Sequence, residues 1–272
     1  MTTVADQVAI ARRLRGQIVA MSHETGAPHV GSSLSCVDIV VAAYWHAMRI
    51  DPLNPREPNR DRFIMSKGHA AATLYAALAA RGFFALDHLS GYTRDSSDLP
   101  EHPILGCVPG VEVTSGSLGH GLSIGLGMAL AGRILRRDYR VVVLMSDGEC
   151  NEGSVWEAAQ FAGAQRLERV AAIIDFNKWQ ATGRSESVMA INPLADKWRA
   201  FGWSAREVDG HDLVQLGKAL SHLPDGSGKP VAVIAHTVKG KGVSFMEDDN
   251  NWHYRIPTAD EVQRAHRELG LQ

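Results

Sequence analysis

The sequence predicts an α/β protein built on a doubly wound, mostly parallel sheet with helices on both faces. Two observations carry this. The runs Val141–Met145, Val170–Phe176 and Val231–Ala235 are almost wholly apolar, as strands covered on both faces are. Helical patterns lie between them, near 120–136, 152–165, 193–201 and 211–222, and strands alternating with helices form a layered parallel sheet. In such sheets ligands bind beyond the carboxyl ends of the strands, near a switch point in the strand order.

The elements read in order from the amino terminus. Ile10, Leu14, Ile18 and Met21 share one helical face, so a first helix runs from about Val4 to His23. A second runs from about Ser35 to Met48, with Asp38 in its first turn, where a negative charge suits the helix dipole. A proline-rich loop follows from Asp51, then a short strand, Arg62–Met65, and an alanine-rich helix from His69 to Arg81. From Ser90 to Gly119 the chain is irregular and rich in Gly, Pro, Ser and Asp; loops of that length are often functional. An amphipathic helix over Thr258–Leu271 closes the pattern, and no linker or repeat divides residues 1–272, so one domain is expected.

Composition narrows the function. The 28 Lys and Arg against 30 Asp and Glu leave a formal charge of −2, which argues against nucleic-acid binding through a broad basic field. The groups Arg12, Arg13, Arg15 and Arg133, Arg136, Arg137 read as solvated helix faces. No apolar run approaches the ~18 residues of a membrane span. The charged N-terminus lacks a signal-peptide core, and Cys36, Cys107 and Cys150 have no C-x-x-C spacing. A reduced, cytoplasmic protein without disulfides or a zinc site is expected.

The chemistry gathers after the second apolar run. Val141–Met145 leads into Ser146-Asp147-Gly148-Glu149-Cys150-Asn151-Glu152-Gly153 and a helix; about thirty residues on, the next strand ends in Asp175-Phe176-Asn177-Lys178-Trp179. Neighbouring parallel strands would set Asp147 beside Asn177. A carboxylate with a carboxamide oxygen is a hard, oxygen-only set suited to Mg²⁺ or Ca²⁺ completed by phosphate oxygens. Gly148 lets a diphosphate approach the backbone, and the following helix N-terminus offers amide donors. An Asp-Gly alone reads as an ordinary capped turn; its pairing with the distant strand-terminal Asn makes a metal–diphosphate site the better reading.

Asp147-Gly-x-x-x-Glu-Gly153 with Asn177 resembles the thiamine diphosphate motif, and the wider context resembles the N-terminal half of transketolases. The matching segments, in order, are Gly26–Ser35, Asp61–Ala70, Glu101–Pro103, Pro109–Gly121, Asn177–Gly183, Val208–Asp212 and Lys239–Met246, followed by Trp252-His253. The resemblance implies the thiamine diphosphate-binding fold of the diphosphate (PP) type. It implies Mg²⁺, for which Ca²⁺ or Mn²⁺ can substitute, held by Asp147, Asn177 and the backbone carbonyl of Trp179. Gly148 would lie against the diphosphate, and the loop with Gly116 and Leu118 would border the aminopyrimidine. His29, His69, His102 and His253 match histidines lining the cofactor–substrate cleft, with His69 and His253 also on the cofactor. Imidazoles can donate to diphosphate, carbonyl and hydroxyl oxygens and can move protons near neutral pH.

Glu152 and Glu157 match acidic residues where two protomers meet, although first-turn helix acids would read the same. His211, in Asp-Gly-His-Asp, reads as a turn and cap residue; His23, His46, His88, His222 and His266 read as surface or helix residues. The chain departs from the family pattern at Ser146, usually Gly, at Tyr254, where a Gly usually follows the histidine, and at His120, often Gln.

Transketolases are much longer. Their later part binds the aminopyrimidine and supplies the glutamate that activates the cofactor. The resemblance therefore implies the N-terminal subunit of a split transketolase, moving a two-carbon ketol unit from a ketose to an aldehyde acceptor. Its partner would be a C-terminal subunit with the pyrimidine-binding domain, in an α2β2 assembly. A half of a 1-deoxyxylulose-5-phosphate synthase-like or 2-oxoacid dehydrogenase-like enzyme, or a non-catalytic cofactor-binding regulatory subunit, are the alternatives.

Overall fold

Strands β1 (Arg62–Met65), β2 (Val141–Ser146), β3 (Val170–Phe176), β4 (Ser204–Asp209) and β5 (Val231–His236) form one wholly parallel sheet in the order β1-β2-β3-β5-β4. The structure is a computed structural model and describes residues 2–271; Met1 and Gln272, the ends of the expected domain, lie outside the described residues. Strand pleating sends successive side chains to opposite faces. Val142 and Leu144 enter one apolar layer, while Val141, Val143 and Met145 enter the other.

The first layer is covered by helices α1 (Val4–Thr25), α3 (Val37–Ala42), α4 (Ala71–Arg81) and α9 (Leu213–Ser221). The second is covered by α5 (Gly121–Ile134), α6 (Gly153–Ala164) and α8 (Leu194–Ala200). Helices on both faces of a parallel sheet are the doubly wound class the alternation predicts. Capping boxes start α1 at Thr3 and helix α10 (Ala259–Glu268) at Thr258, each satisfying otherwise orphaned amides. Among the described residues no helix is long and apolar enough to cross a membrane. The three cysteines are free, Cys36 and Cys150 buried.

The strand order places the site. β2 and β3 are neighbours with Ser146 opposite Asp175, so the residues after both strands emerge together. The chain then lays β4 at the edge and returns to insert β5 between β3 and β4. That reversal brings the segment after β5 beside the end of β3, at the carboxyl edge all five strands share.

Four local expectations change. The second helix begins earlier, as α2 (Val30–Ser35), breaks at Cys36 before α3, and ends in a wider turn over Ala43–Ala47. Just before the break the Ser35 hydroxyl donates to the buried Asp175 carboxylate at 2.6 Å instead of facing solvent. β4 escapes a search for apolar runs because it is an edge strand, half-exposed and carrying Arg206 and Glu207. The single turn α7 (Ser185–Met189) is too short to show a period. Arg15 is not solvated: it is buried, 2.5 Å from Asp38, and donates to Lys241 O; Arg12, Arg13, Arg133, Arg136 and Arg137 are exposed as expected.

Candidate active site

A cleft of about 360 Å³ opens at the carboxyl ends of β2 and β3. Asp147, wholly buried, ends β2, and both its oxygens are engaged. Oδ1 accepts the Gly148 amide at 3.0 Å, while Oδ2 accepts the Lys178 amide at 2.9 Å and the Ser185 hydroxyl at 2.7 Å. Oδ1, with a single donor, keeps acceptor capacity for a further partner. Burial pushes the Asp147 carboxyl up to about 6.

Asn177 ends β3 with its carboxamide oriented at both ends. Oδ1 accepts the Trp179 amide at 3.0 Å and Nδ2 donates to Ser35 Oγ at 3.3 Å. Lys178 between them takes a left-handed φ of 70°, which folds the loop back. The Trp179 ring is clamped: Nε1 donates to Asp248 at 2.8 Å and the Arg184 guanidinium lies 3.8 Å above the ring, itself paired to Asp248. The strand pair thus brings together the three residues the motif nominates.

Four imidazoles form the opposite wall. Ring centroids lie 4.9 Å apart for His29 and His253, 5.4 Å for His29 and His69, 6.0 Å for His69 and His253, and 6.3 Å for His29 and His102. Burial, with the charges of nearby groups, drives His29 down to about 4 and His253 to about 3, and holds His69 well below the usual histidine value. These three rings are neutral at pH 7. The Lys239 ammonium donates to Asn250 Oδ1 at 2.7 Å and lies 3.0 Å from His253 Nδ1. In that pair the imidazole nitrogen accepts, which leaves the proton on Nε2.

Behind the wall lies a buried polar network that no motif in the sequence announces. Lys67 and Asp175 form a wholly buried ion pair; Lys67 also donates to Ser32 O, and Ser35 and Thr237 donate to Asp175. Glu149, also buried, accepts from Ser66, the Gly119 amide at 2.9 Å and the Ser146 amide. It ties the 116–119 loop to the end of β2. Asp175 at the end of an apolar strand is the available signal, because a lone buried carboxylate requires partners. Lys67, Lys239 and Ser32 stand inside the family-like segments, where nothing local reveals their task.

The residues present fit a metal–diphosphate cofactor. The oxygen donors at Asp147 and Asn177 are hard, Gly148 and Gly116 line the cleft without side chains, and His29 Nδ1 and Gln180 Nε2 are buried polar atoms without a partner at the cleft wall. A Cβ on Gly116 would come within 3.0 Å of the His102 ring, and its φ of 146° disfavours any side chain.

Residues 5–272 match the family model described as "Transketolase, thiamine diphosphate binding domain". The chain belongs to the transketolase family. Within that family it is 41% identical to one subunit of the apulose-4-phosphate transketolase of Phocaeicola vulgatus, over 94% of this chain and 90% of that protein. It is 42% identical to SqwG, a 6-deoxy-6-sulfo-D-fructose transketolase subunit of a Clostridium species, over 82% of this chain and 81% of that one. The solved transketolase of Leishmania mexicana superposes with a TM-score of 0.92 at 28% identity, over 97% of this chain and 41% of the longer one. This transketolase chain therefore spans most of the length of the two single-subunit relatives and about two-fifths of the solved enzyme.

The remaining nominated residues divide. Leu118 and Gly116 line the cleft. Glu152 and Glu157 are exposed at the start and on the face of α6, and neither forms an ion pair among the described residues. His211 holds the turn before α9, with Nε2 accepting the Val238 amide at 2.9 Å and Nδ1 meeting Asp38 at 2.8 Å, while Asp212 caps the helix. His120 is exposed, Ser146 lines the cleft, and Tyr254 stands exposed against His253.

Proposed function

We propose that this chain is the diphosphate-binding subunit of a split, thiamine diphosphate- and Mg²⁺-dependent transketolase. It works in the cytoplasm with a separate pyrimidine-binding subunit in an α2β2 assembly, on sugar or sugar-phosphate substrates and without nucleic acid or membrane. One observation carries the reading: Gly148, Asn177 and four imidazoles line one cleft, with the Asp147 carboxylate buried against the Gly148 and Lys178 amides, in a chain that matches a transketolase subunit along 90% of that protein's length.

In this reading Asp147, Asn177 and the Trp179 carbonyl hold Mg²⁺, with Gly148 against the diphosphate. Thiamine diphosphate, when bound, supplies an electron sink for breaking the carbon–carbon bond beside a ketose carbonyl. The chain's own residues bind and orient. His69 and the Nε2–H of His253 donate to cofactor or substrate oxygens. His29 and His102 face the ketose carbonyl and hydroxyls, donate to the oxygen that gains charge, and exchange protons with it. Gly116 and Leu118 border the aminopyrimidine, and Glu152 and Glu157 meet the partner subunit.

The test is reconstitution. The purified chain alone is expected to show no two-carbon transfer, and activity is expected to appear on titrating in the partner, saturating near one to one. Robust turnover by the highly purified single chain would refute the split-enzyme reading.

A further inference from the structure

His29 is flanked by a carboxylate and an aromatic ring, neither of which the proposed chemistry uses. Glu101 Oε1 lies 3.6 Å from His29 Nε2, and ligand atoms of His29, Glu101 and His102 lie within 4.8 Å of one another. The side chain of Glu101 is 40% exposed and stands next to His29 and His102, two imidazoles that line the cleft. The segment carrying it is fixed, since Pro103 O accepts the Ser115 amide at 3.0 Å beside the Gly116 loop. The ring of Tyr254 stands 5.8 Å from that of His29 and is 63% exposed.

The two flanking groups add a chemistry the imidazoles lack. An imidazole N–H donates to a hydroxyl or a carbonyl oxygen and more strongly to a carboxylate oxygen, so the histidine wall alone does not favour a polyol over an acid. An ionised carboxylate is acceptor-only. It accepts a hydrogen bond from a substrate hydroxyl and repels a substrate carboxylate at the same place. Specificity built on a repulsive group is sharper than added attraction alone. The tyrosine face against His29 offers apolar surface to the C–H groups of a carbon chain.

We propose that Glu101, with Tyr254 against the same imidazole, is the donor-selecting element of the cleft: it accepts a hydrogen bond from the hydroxyl on the carbon next to the reacting carbonyl and rejects donors that carry a negative charge there. The substrate class is a ketose with an uncharged polyhydroxy chain at that end, any anionic group lying farther along. This rests on the transketolase reading. Glu101 acts on the substrate and is not assigned to the cofactor.

The experiment compares two donors that share a hydroxymethyl ketone and differ only beyond it. Erythrulose continues with hydroxyl-bearing carbons, and hydroxypyruvate continues with a carboxylate. In the assembled enzyme Glu101→Gln is expected to raise kcat/KM for hydroxypyruvate about tenfold and to lower it for erythrulose by about threefold to tenfold. Tyr254→Ala is expected to raise KM for erythrulose about threefold while leaving hydroxypyruvate within about twofold. Changes of opposite sign for Glu101→Gln support donor selection. No change, or a parallel fall for both donors, overturns it, since a merely structural role affects both alike. A wild-type assembly that turns over neither donor overturns the transketolase reading itself, a result distinct from a parallel response.

Discussion

The backbone amide of His29 donates to the carbonyl of His253 at 2.8 Å. One residue precedes α2 and the other ends the turn over Asn250–His253, so the bond joins segments from opposite ends of the chain. It holds His29 in a left-handed φ of 70°, uncommon for a residue with a side chain, and sets the two rings edge to face. Backbone strain of this kind persists only where the surroundings over-determine it.

Asp147→Asn and Asn177→Ala are each expected to raise the thiamine diphosphate concentration for half-maximal activity by about tenfold or more, because the first removes the charge that neutralises the cation and the second removes an oxygen ligand. Equal half-saturation for both variants and the wild type, at fixed Mg²⁺, contradicts the metal assignment.

The cofactor-free protein carries a pH signature of the same residue. Asp147 is raised from 3.8 to about 6 by burial, so between those values the folded state holds a proton that the unfolded state has released. Its contribution to stability therefore falls as pH rises from about 4 to about 6 and stays lower above that. Asp147→Asn is expected to flatten this fall and to raise the Tm of the cofactor-free protein at pH 7. Thermal unfolding across pH shows whether it does.

His29→Ala and His69→Ala are expected to lower kcat by about a hundredfold, with cofactor half-saturation changing much less. His29 is held near 4 and His69 well below its usual value, so the loss is expected to be nearly constant across neutral pH. Variants with near-normal kcat but lowered Tm would make these histidines structural.

Lys67→Met leaves Asp175 charged and unpaired in a wholly buried place, at a cost of about 3–5 kcal/mol. Adding Asp175→Asn to it is expected to recover part of that loss. Denaturant unfolding of the two singles and the double measures the coupling, and strictly additive losses would argue against a direct pair.

Gly68→Ala is expected to shift the cofactor loop. A Cβ there would meet Gly116 N at 2.7 Å and Ser115 C at 2.8 Å, both backbone atoms that cannot rotate aside. A loss of about 1–3 kcal/mol with weaker cofactor binding is expected. Gly153→Ala, whose Cβ meets nothing within 4 Å, is the control and is expected to leave stability unchanged or slightly raised.

The sheet class was legible because β2, β3 and β5 are buried on both faces, and such strands must be apolar throughout. β4 was not legible: an edge strand needs only partial burial, so Arg206 and Glu207 hid it. Arg15 looked like part of a solvated face because its neighbours Arg12 and Arg13 are; its burial comes from Asp38 and Lys241, which no local period reveals.

By itself the sequence determined the alternation of strand and helix, the Asp147-Gly148 turn, the strand-terminal Asn177 and the segments that carry four histidines. These are local properties of period, turn chemistry and residue type. Tertiary structure alone decided that β2 and β3 are neighbours, that β5 returns beside β3, and that Lys67, Glu149 and Asp175 are buried together behind the cleft. It also brought Glu101 and Tyr254 next to His29. The physical reason is that strand order and charge burial depend on contacts between distant segments. A buried lysine or carboxylate looks like a surface residue in sequence until the partner that makes its burial tolerable is seen in space.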